Sequence, residues 1–155
     1  MPEHKHLRRL DSVWIQSPIF FVTSCTWDRR RILANFDTVA ILRSEMSGAR
    51  EKHGWNIGRY VIMPDHVHFF CASEQTPGAA SLSRFVGAFK EWTAKRMVAA
   101  GAKPPVWQKQ FFDHVLRSEE SYTNKWVYVR ENPVRAGLVT RADDWPHAGE
   151  IAALL

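Results

Sequence analysis

Residues 55–72 read WNIGRYVIM-PD-HVHFFCA: Trp55 to Met63, then Pro64-Asp65, then His66 to Ala72. Both flanking runs are rich in β-branched and aromatic residues, which fit a pleated surface, and Pro-Asp is a turn pair. The stretch predicts a β-hairpin. Working outward, Pro18 to Trp27 (PIFFVTSCTW) reads as a strand, and Arg29 to Arg31 as a polar turn. Asn35 can cap a helix running to about Lys52, with Phe36, Val39, Ala40 and Leu42 on its apolar side and Gly48 fraying its end. Beyond the hairpin, Glu74 to Gly78 is a loop, and Ala79 to Ala100 a long helix with Leu82, Phe85, Phe89, Trp92 and Met97 near helical spacing. Gly101 to Pro105 ends that helix. Phe111 to Arg117 reads as a fourth strand, and Ser118 caps a helix with Glu119 and Glu120 where the helix dipole favours carboxylates. That helix runs to about Glu131 or Asn132 and must stop or kink at Pro133.

The order β-α-β-β-α-β plus one helix is that of the split βαβ, ferredoxin-like motif. The expectation is therefore an α+β fold: an antiparallel sheet with helices on one face and a C-terminal helix that carries Tyr128. One domain over 1–155 is expected, with a basic arm at 1–15 and a short tail at 147–155. The 45% hydrophobic and 24% charged content is that of a globular chain. No segment approaches the ~18–20 apolar residues of a membrane span, and the N-terminus lacks the apolar core of a secretory signal. A cytoplasmic protein with no membrane partner is expected. Cys25 and Cys71 lie in apolar strand-like runs and read as reduced buried thiols.

The net charge is +5. Its distribution says more than its sum. His4, Lys5, His6, Arg8 and Arg9 form a basic arm, and Arg29, Arg30 and Arg31 a second cluster; Lys90, Lys95 and Arg96 share one helical segment. Seven Trp residues accompany these cations. Flat indoles beside cations suit single-stranded nucleic acid, whose bases stack. Core tryptophans with solvated surface cations are the alternative reading of the same composition.

His66-Val67-His68 opens the third strand. Residues two apart on a strand point to one face, so both imidazoles can reach one ion, while Val67 and Phe69 face the other side. Two surface histidines on a hairpin would give the same pattern. Three other His-x-His chemistries do not fit. The nucleotide-hydrolase type needs a third alternating histidine, where Phe70 stands; the metallo-β-lactamase type continues to Asp and His, where Phe69, Phe70 and Cys71 follow. The amidohydrolase type needs a barrel of roughly 250 residues. On the last helix, Tyr122, Trp126 and Val129 fall on one apolar stripe. Tyr128 is off it, in a column with Asn124 and Asn132 at i−4 and i+4. A tyrosine so placed serves chemistry or a surface hydrogen bond, and the Asn132 carbonyl oxygen can reach the ion that the histidines hold.

The context Tyr60-Val-Ile-Met-Pro-Asp-His-Val-His-Phe resembles the HUH motif of the single-tyrosine transposases of small bacterial insertion sequences. Three later stretches narrow the resemblance: Val106-Trp107-Gln108 with Phe112-Asp113-His114-Val115 after it, Tyr128 ahead of Asn132-Pro-Val-Arg-Ala-Gly-Leu-Val139, and Asp144-Trp145-Pro146. Together they resemble the REP-associated tyrosine transposases, from about Ile19 to Pro146.

The resemblance implies Tyr128 as nucleophile and His66 and His68 as ligands of Mg²⁺ or Mn²⁺. Asn132 stands where the insertion-sequence members carry a metal-binding Gln. It also implies a folded single-stranded DNA substrate, a hairpin with a short recognition sequence at its foot. Arg8, Arg9, Arg29, Arg30, Lys90 and Lys95 are the expected DNA contacts, in a bacterial, nucleoid-associated setting and as monomer or homodimer. Attack by Tyr128 would give a 5′-phosphotyrosine link and a free 3′-hydroxyl, and a second 3′-hydroxyl could then rejoin the DNA. No base for the tyrosine is visible; His114 is either that base or a structural strand residue. The competing expectations are a hairpin-binding protein without activity, and a metal-dependent phosphodiesterase using water.

Overall fold

The computed structural model describes residues 18–74 and 78–155, so the basic arm, with Arg8 and Arg9, lies outside the described residues. The chain lays down β1 (Ile19–Cys25), a 3₁₀ turn (Trp27–Arg29), α1 (Phe36–Ser47), α2 (Ala49–His53), β2 (Trp55–Ile62) and β3 (His66–Ser73). It continues with α3 (Leu82–Ala99), β4 (Phe112–Leu116), α4 (Glu119–Val129), α5 (Asn132–Arg135), a 3₁₀ turn (Ala142–Asp144) and β5 (Ala148–Glu150). The strands form one open sheet in the order β4-β1-β3-β2-β5, with every neighbouring pair antiparallel. The first four strands have the predicted ferredoxin-like arrangement, because the β2–β3 hairpin inserts β3 between β1 and β2.

Alternation along β3 divides the interior into two layers. Val67, Phe69 and Cys71 join Val22, Leu42, Met46, Phe85 and Phe89 beneath α1, α2 and α3. Phe70 points the other way and joins Ile19, Phe21, Val61, Met63, Leu116, Tyr122 and Val129 beneath α4. The sheet is thus covered on both faces, by three helices on one and the tyrosine-bearing helix on the other. Cys25 and Cys71 are buried free thiols.

Asn35 caps α1 as expected, its side chain accepting from the Thr38 amide at 3.0 Å. Gly48 breaks the predicted helix into α1 and α2. Phe36 is 87% exposed and Ala40 is also exposed, so neither belongs to the apolar face assigned to them. Val39, Leu42 and Met46 make the contact instead; a side chain in the first turn points back past the helix end, where the Phe36 and His147 rings stand perpendicular with centroids 6.4 Å apart. Trp92 is likewise half-exposed. Thr93 takes the place on the seam between Phe89 and Met97, because its hydroxyl donates to the Phe89 carbonyl at 2.7 Å and accepts from the Trp107 indole at 3.0 Å.

The expected tail at 147–155 contains a strand that hydropathy alone did not predict. β5 is three residues long and lacks an apolar run; it forms because β2 offers an open edge. Beyond it, Ile151 and Ala152 donate to the Gly58 and Ile57 carbonyls at 3.0 Å. A bulge in β2 at Gly58 receives them: a Cβ there would lie 2.6 Å from Leu154 Cδ1 and 2.9 Å from the Tyr122 hydroxyl, so only glycine fits without displacement. No helix among the described residues is long and apolar enough to cross a membrane.

Candidate active site

The imidazoles of His66 and His68 project from β3 on the same face as Phe70, with ring centroids 4.7 Å apart. Each ring is held through Nδ1. His68 Nδ1 lies 2.8 Å from Thr23 Oγ1, its cross-strand partner on β1, and the ring stacks on Phe21 at 5.1 Å. His66 Nδ1 lies 2.7 Å from Asp65 Oδ1. With both Nδ1 atoms engaged, Nε2 is the nitrogen each ring has left for a ligand. Burial pushes the His68 pKa down to about 3, with the charges of His66, Lys125 and Arg135 acting in the same direction, so His68 is neutral and carries a coordinating lone pair. Burial of Asp65 works to raise its carboxyl, but the hydrogen bond and charge of His66 and those of Arg29 outweigh it and hold the carboxyl below its ordinary value.

Asp65 also ties down the chain opposite. Arg29 donates to Asp65 Oδ2 through Nε and Nη2, each at 3.0 Å, and the Thr26 amide donates to the Asp65 carbonyl at 3.0 Å. Arg29 and its neighbour Asp28 both have positive φ, 50° and 58°. For non-glycine residues that conformation costs roughly 1–2 kcal/mol each, less for Asp, and the Arg29–Asp65 pair helps to hold it.

α4 crosses this face. Ser118 caps it, accepting from the Ser121 amide at 3.0 Å, and Tyr122 and Val129 bury its apolar side. Trp126 is only partly buried and packs at the margin of the same layer. Tyr128 is 61% exposed. Lys125, one turn earlier, places Nζ 4.9 Å from the centre of the Phe21 ring that stacks on His68, so this side of the helix overlies the histidine pair. The Arg135 guanidinium lies 3.9 Å from the centre of the Tyr128 ring, donates to the Tyr128 carbonyl at 2.8 Å, and donates to Asn132 Oδ1. As expected, the tyrosine helix stops short of Pro133: α4 ends at Val129, and α5 starts as a separate helix at Asn132. Pro133 falls in the first turn of α5, where a missing amide hydrogen is harmless.

The donor chemistry fits a divalent cation in part. Two imidazole Nε2 atoms on one face are suitable ligands, each with the outer hydrogen bond that fixes ring orientation in metal sites. Among the described residues no three His, Cys, Asp or Glu side chains cluster to complete such a site. The Asn132 carbonyl oxygen, the third donor expected from the sequence, accepts from Arg135 in this conformation.

The cations expected to contact DNA fall in different places. Arg29 is at the site through Asp65. Arg30 pins a neighbouring loop, donating to the Trp27, Lys103 and Pro105 carbonyls. Lys90 and Lys95 are on α3, across the sheet from the histidines. Lys90 donates to the Gln108, Lys109 and Gln110 carbonyls, and Lys95 lies over the Trp92 ring at 4.6 Å. His114 is exposed on β4 opposite Phe21 and makes no hydrogen bond to Tyr128 among the described residues. The sequence reading missed Thr23, Lys125 and the Arg135 contacts. Thr23 had no signal without the strand register; Arg135, three residues past Asn132, was the one that spacing could have found.

Over residues 19–131 the sequence matches the family described as Transposase IS200 like. The chain belongs to this transposase family. Among curated proteins the chain is similar to the REP-associated tyrosine transposase of Escherichia coli, at 28% identity over 68% of this chain and 61% of that protein's length. It is also similar to a putative REP-associated tyrosine transposase of Haemophilus influenzae, at 23% identity over 84% of this chain and 78% of the other. The fold of the chain superposes on the solved structure of a REP-associated tyrosine transposase bound to a REP hairpin. The TM-score is 0.71 at 24% identity, covering 84% of this chain and 75% of that one.

Proposed function

We propose that this transposase nicks and rejoins single-stranded DNA next to a hairpin, with Tyr128 as nucleophile. The observation that carries this reading is the pair of Nδ1-anchored histidines beneath the helix that presents an exposed tyrosine. The hairpin bound in the structural relative supports the substrate class. His66 and His68, with Asn132 once Arg135 releases it, would hold Mg²⁺ or Mn²⁺. Such an ion supplies Lewis-acid polarisation of the scissile phosphate.

The protein's own residues do the remainder. The Tyr128 oxygen attacks phosphorus and the bond to the 3′-oxygen breaks. The electron pair leaves on that oxygen, which takes up a proton to become a 3′-hydroxyl. The phenol's proton is released as the 5′-phosphotyrosine bond forms. Arg135, stacked on the ring, and Lys125 add positive potential where charge gathers on the phosphate. Attack by a second 3′-hydroxyl reverses these steps and returns the phenol. The bond energy is conserved in the link, so rejoining needs no nucleotide cofactor.

The test is a denaturing gel of labelled single-stranded hairpin DNA incubated with protein and Mn²⁺. A protease-sensitive shifted band is expected for wild type and none for Tyr128→Phe. Equal cleavage by both proteins without an adduct would point to hydrolysis by water. Binding without any cleavage would point to a hairpin-binding protein.

A further inference from the structure

Just past the end of β1, a hollow of about 560 Å³ is lined by Trp27, Asp28, Gln108, Lys109 and Gln110. The mechanism above uses none of these side chains. We propose that the hollow binds one unpaired nucleobase of the DNA strand, stacked on Trp27. The proposal rests on the reading of this protein as a single-strand DNA enzyme.

Trp27 is 45% exposed at the start of the 3₁₀ turn, although its backbone is fixed, the amide donating to the Val106 carbonyl at 2.9 Å. An indole face held open to solvent is what a base stacks on, whatever its sequence. The opposite wall is equally fixed. The Gln108 amide donates to the Cys25 carbonyl at 2.9 Å, its side chain donates to the Thr26 carbonyl at 3.2 Å, and Lys90 gathers the carbonyls of residues 108–110. A primary amide that gives one N–H to Thr26 keeps a second N–H and an acceptor oxygen for a base edge. Gln110 adds another such group, and Lys109 a cation for a flanking phosphate.

Asp28 distinguishes base from phosphate. A carboxylate at the rim repels a phosphate inside the hollow and accepts from an exocyclic amino group, so cytosine, adenine or guanine fits better than thymine. Position ties the hollow to the reaction. Cys25 pairs with His66 across the strands and Trp27 is two residues on, so the Cα atoms of Trp27 and His66 are within ~13 Å. At ~3.4 Å per stacked nucleotide, that is at most about four nucleotides of strand. Arg29, in the turn that Trp27 opens, is paired with Asp65, the residue hydrogen-bonded to His66, so the stacking platform and the histidine share one support.

The experiment is fluorescence anisotropy with a labelled DNA hairpin carrying single-stranded cytosine extensions, scanned with one abasic position at a time. In wild type, one abasic position should weaken binding roughly 5- to 100-fold, the range for one base on one aromatic. Trp27→Ala should bind the intact probe that much more weakly and lose all sensitivity to that position, while Trp27→Phe recovers part of both. An abasic penalty undiminished in Trp27→Ala, or a flat scan in wild type with hairpin binding intact, overturns the base pocket alone. Wild type that fails to bind the hairpins at all overturns the underlying reading as well.

Discussion

Thr23 stands opposite His68 in the β1–β3 register, and its hydroxyl fixes which imidazole nitrogen faces the site. A side chain in this role acts through the ligand it orients, and its loss typically weakens metal affinity or activity 10- to 100-fold. Thr23→Val keeps the shape and removes the hydrogen-bonding oxygen. The expected outcome is a 10- to 100-fold slower rate of adduct formation, with a higher Mn²⁺ concentration needed for half-maximal rate. Thr23→Ser should restore both. A valine variant whose metal titration is unchanged would show that Thr23 only packs. At the same scale, the Tyr128 column was legible because it broke the apolar stripe of α4, whereas Thr23 looked like any strand threonine.

Among the elements, α3 and the loop before β4 are joined by the Trp107–Thr93 hydrogen bond and by one ammonium, that of Lys90. Burial lowers the Lys90 pKa below its ordinary value, and Nζ donates to three consecutive carbonyls, two of them at 3.1 Å. Charged hydrogen bonds of this kind contribute roughly 1.5–3 kcal/mol each before the cost of desolvating the lysine is subtracted. Lys90→Ala is therefore expected to destabilise the fold by about 1–2 kcal/mol, a fall in Tm of roughly 3–8 °C in a chain of this size. A melting curve checks it; an unchanged Tm would return Lys90 to the role of a free surface cation. Helical spacing placed Lys90 on the right helix. It could not show that a loop eighteen residues later brings its carbonyls there, because that contact forms only when β4 pairs with β1.

For the whole molecule, the question is whose active site Tyr128 serves. Only Arg117 and Ser118 separate β4 from α4, and Tyr122 and Val129 bury themselves on the sheet of their own chain. In an exchange the partner's identical helix would bury the same layer, but a connection of two residues leaves α4 little reach away from its own sheet, so a tyrosine acting in cis is the expected arrangement. Mixing Tyr128→Phe with a His66→Ala, His68→Ala double variant is then expected to give no adduct above the sum of the two alone. Recovery of activity in the mixture, read on the same denaturing gel, would show a dimer that shares its tyrosine helix.

The sequence by itself determined the first four strands, the main helices between and after them, their order and the two faces of β3. Those follow from local rules: periods of 2 and 3.6, capping side chains and the Pro64-Asp65 turn act over a few residues and are written in them. His66, His68 and Tyr128 were visible because each departs from the apolar pattern of its element. The tertiary structure alone decided the Thr23–His68 register and the Arg135 clasp on Tyr128 and Asn132. It also decided the addition of β5 to the open edge of β2 and the placement of Trp27 beside Gln108 and Gln110. Each of these joins residues distant in sequence or a strand with no apolar signal of its own. Their physical cause is the pairing of backbone edges and the packing of two layers on one sheet, which no local window contains.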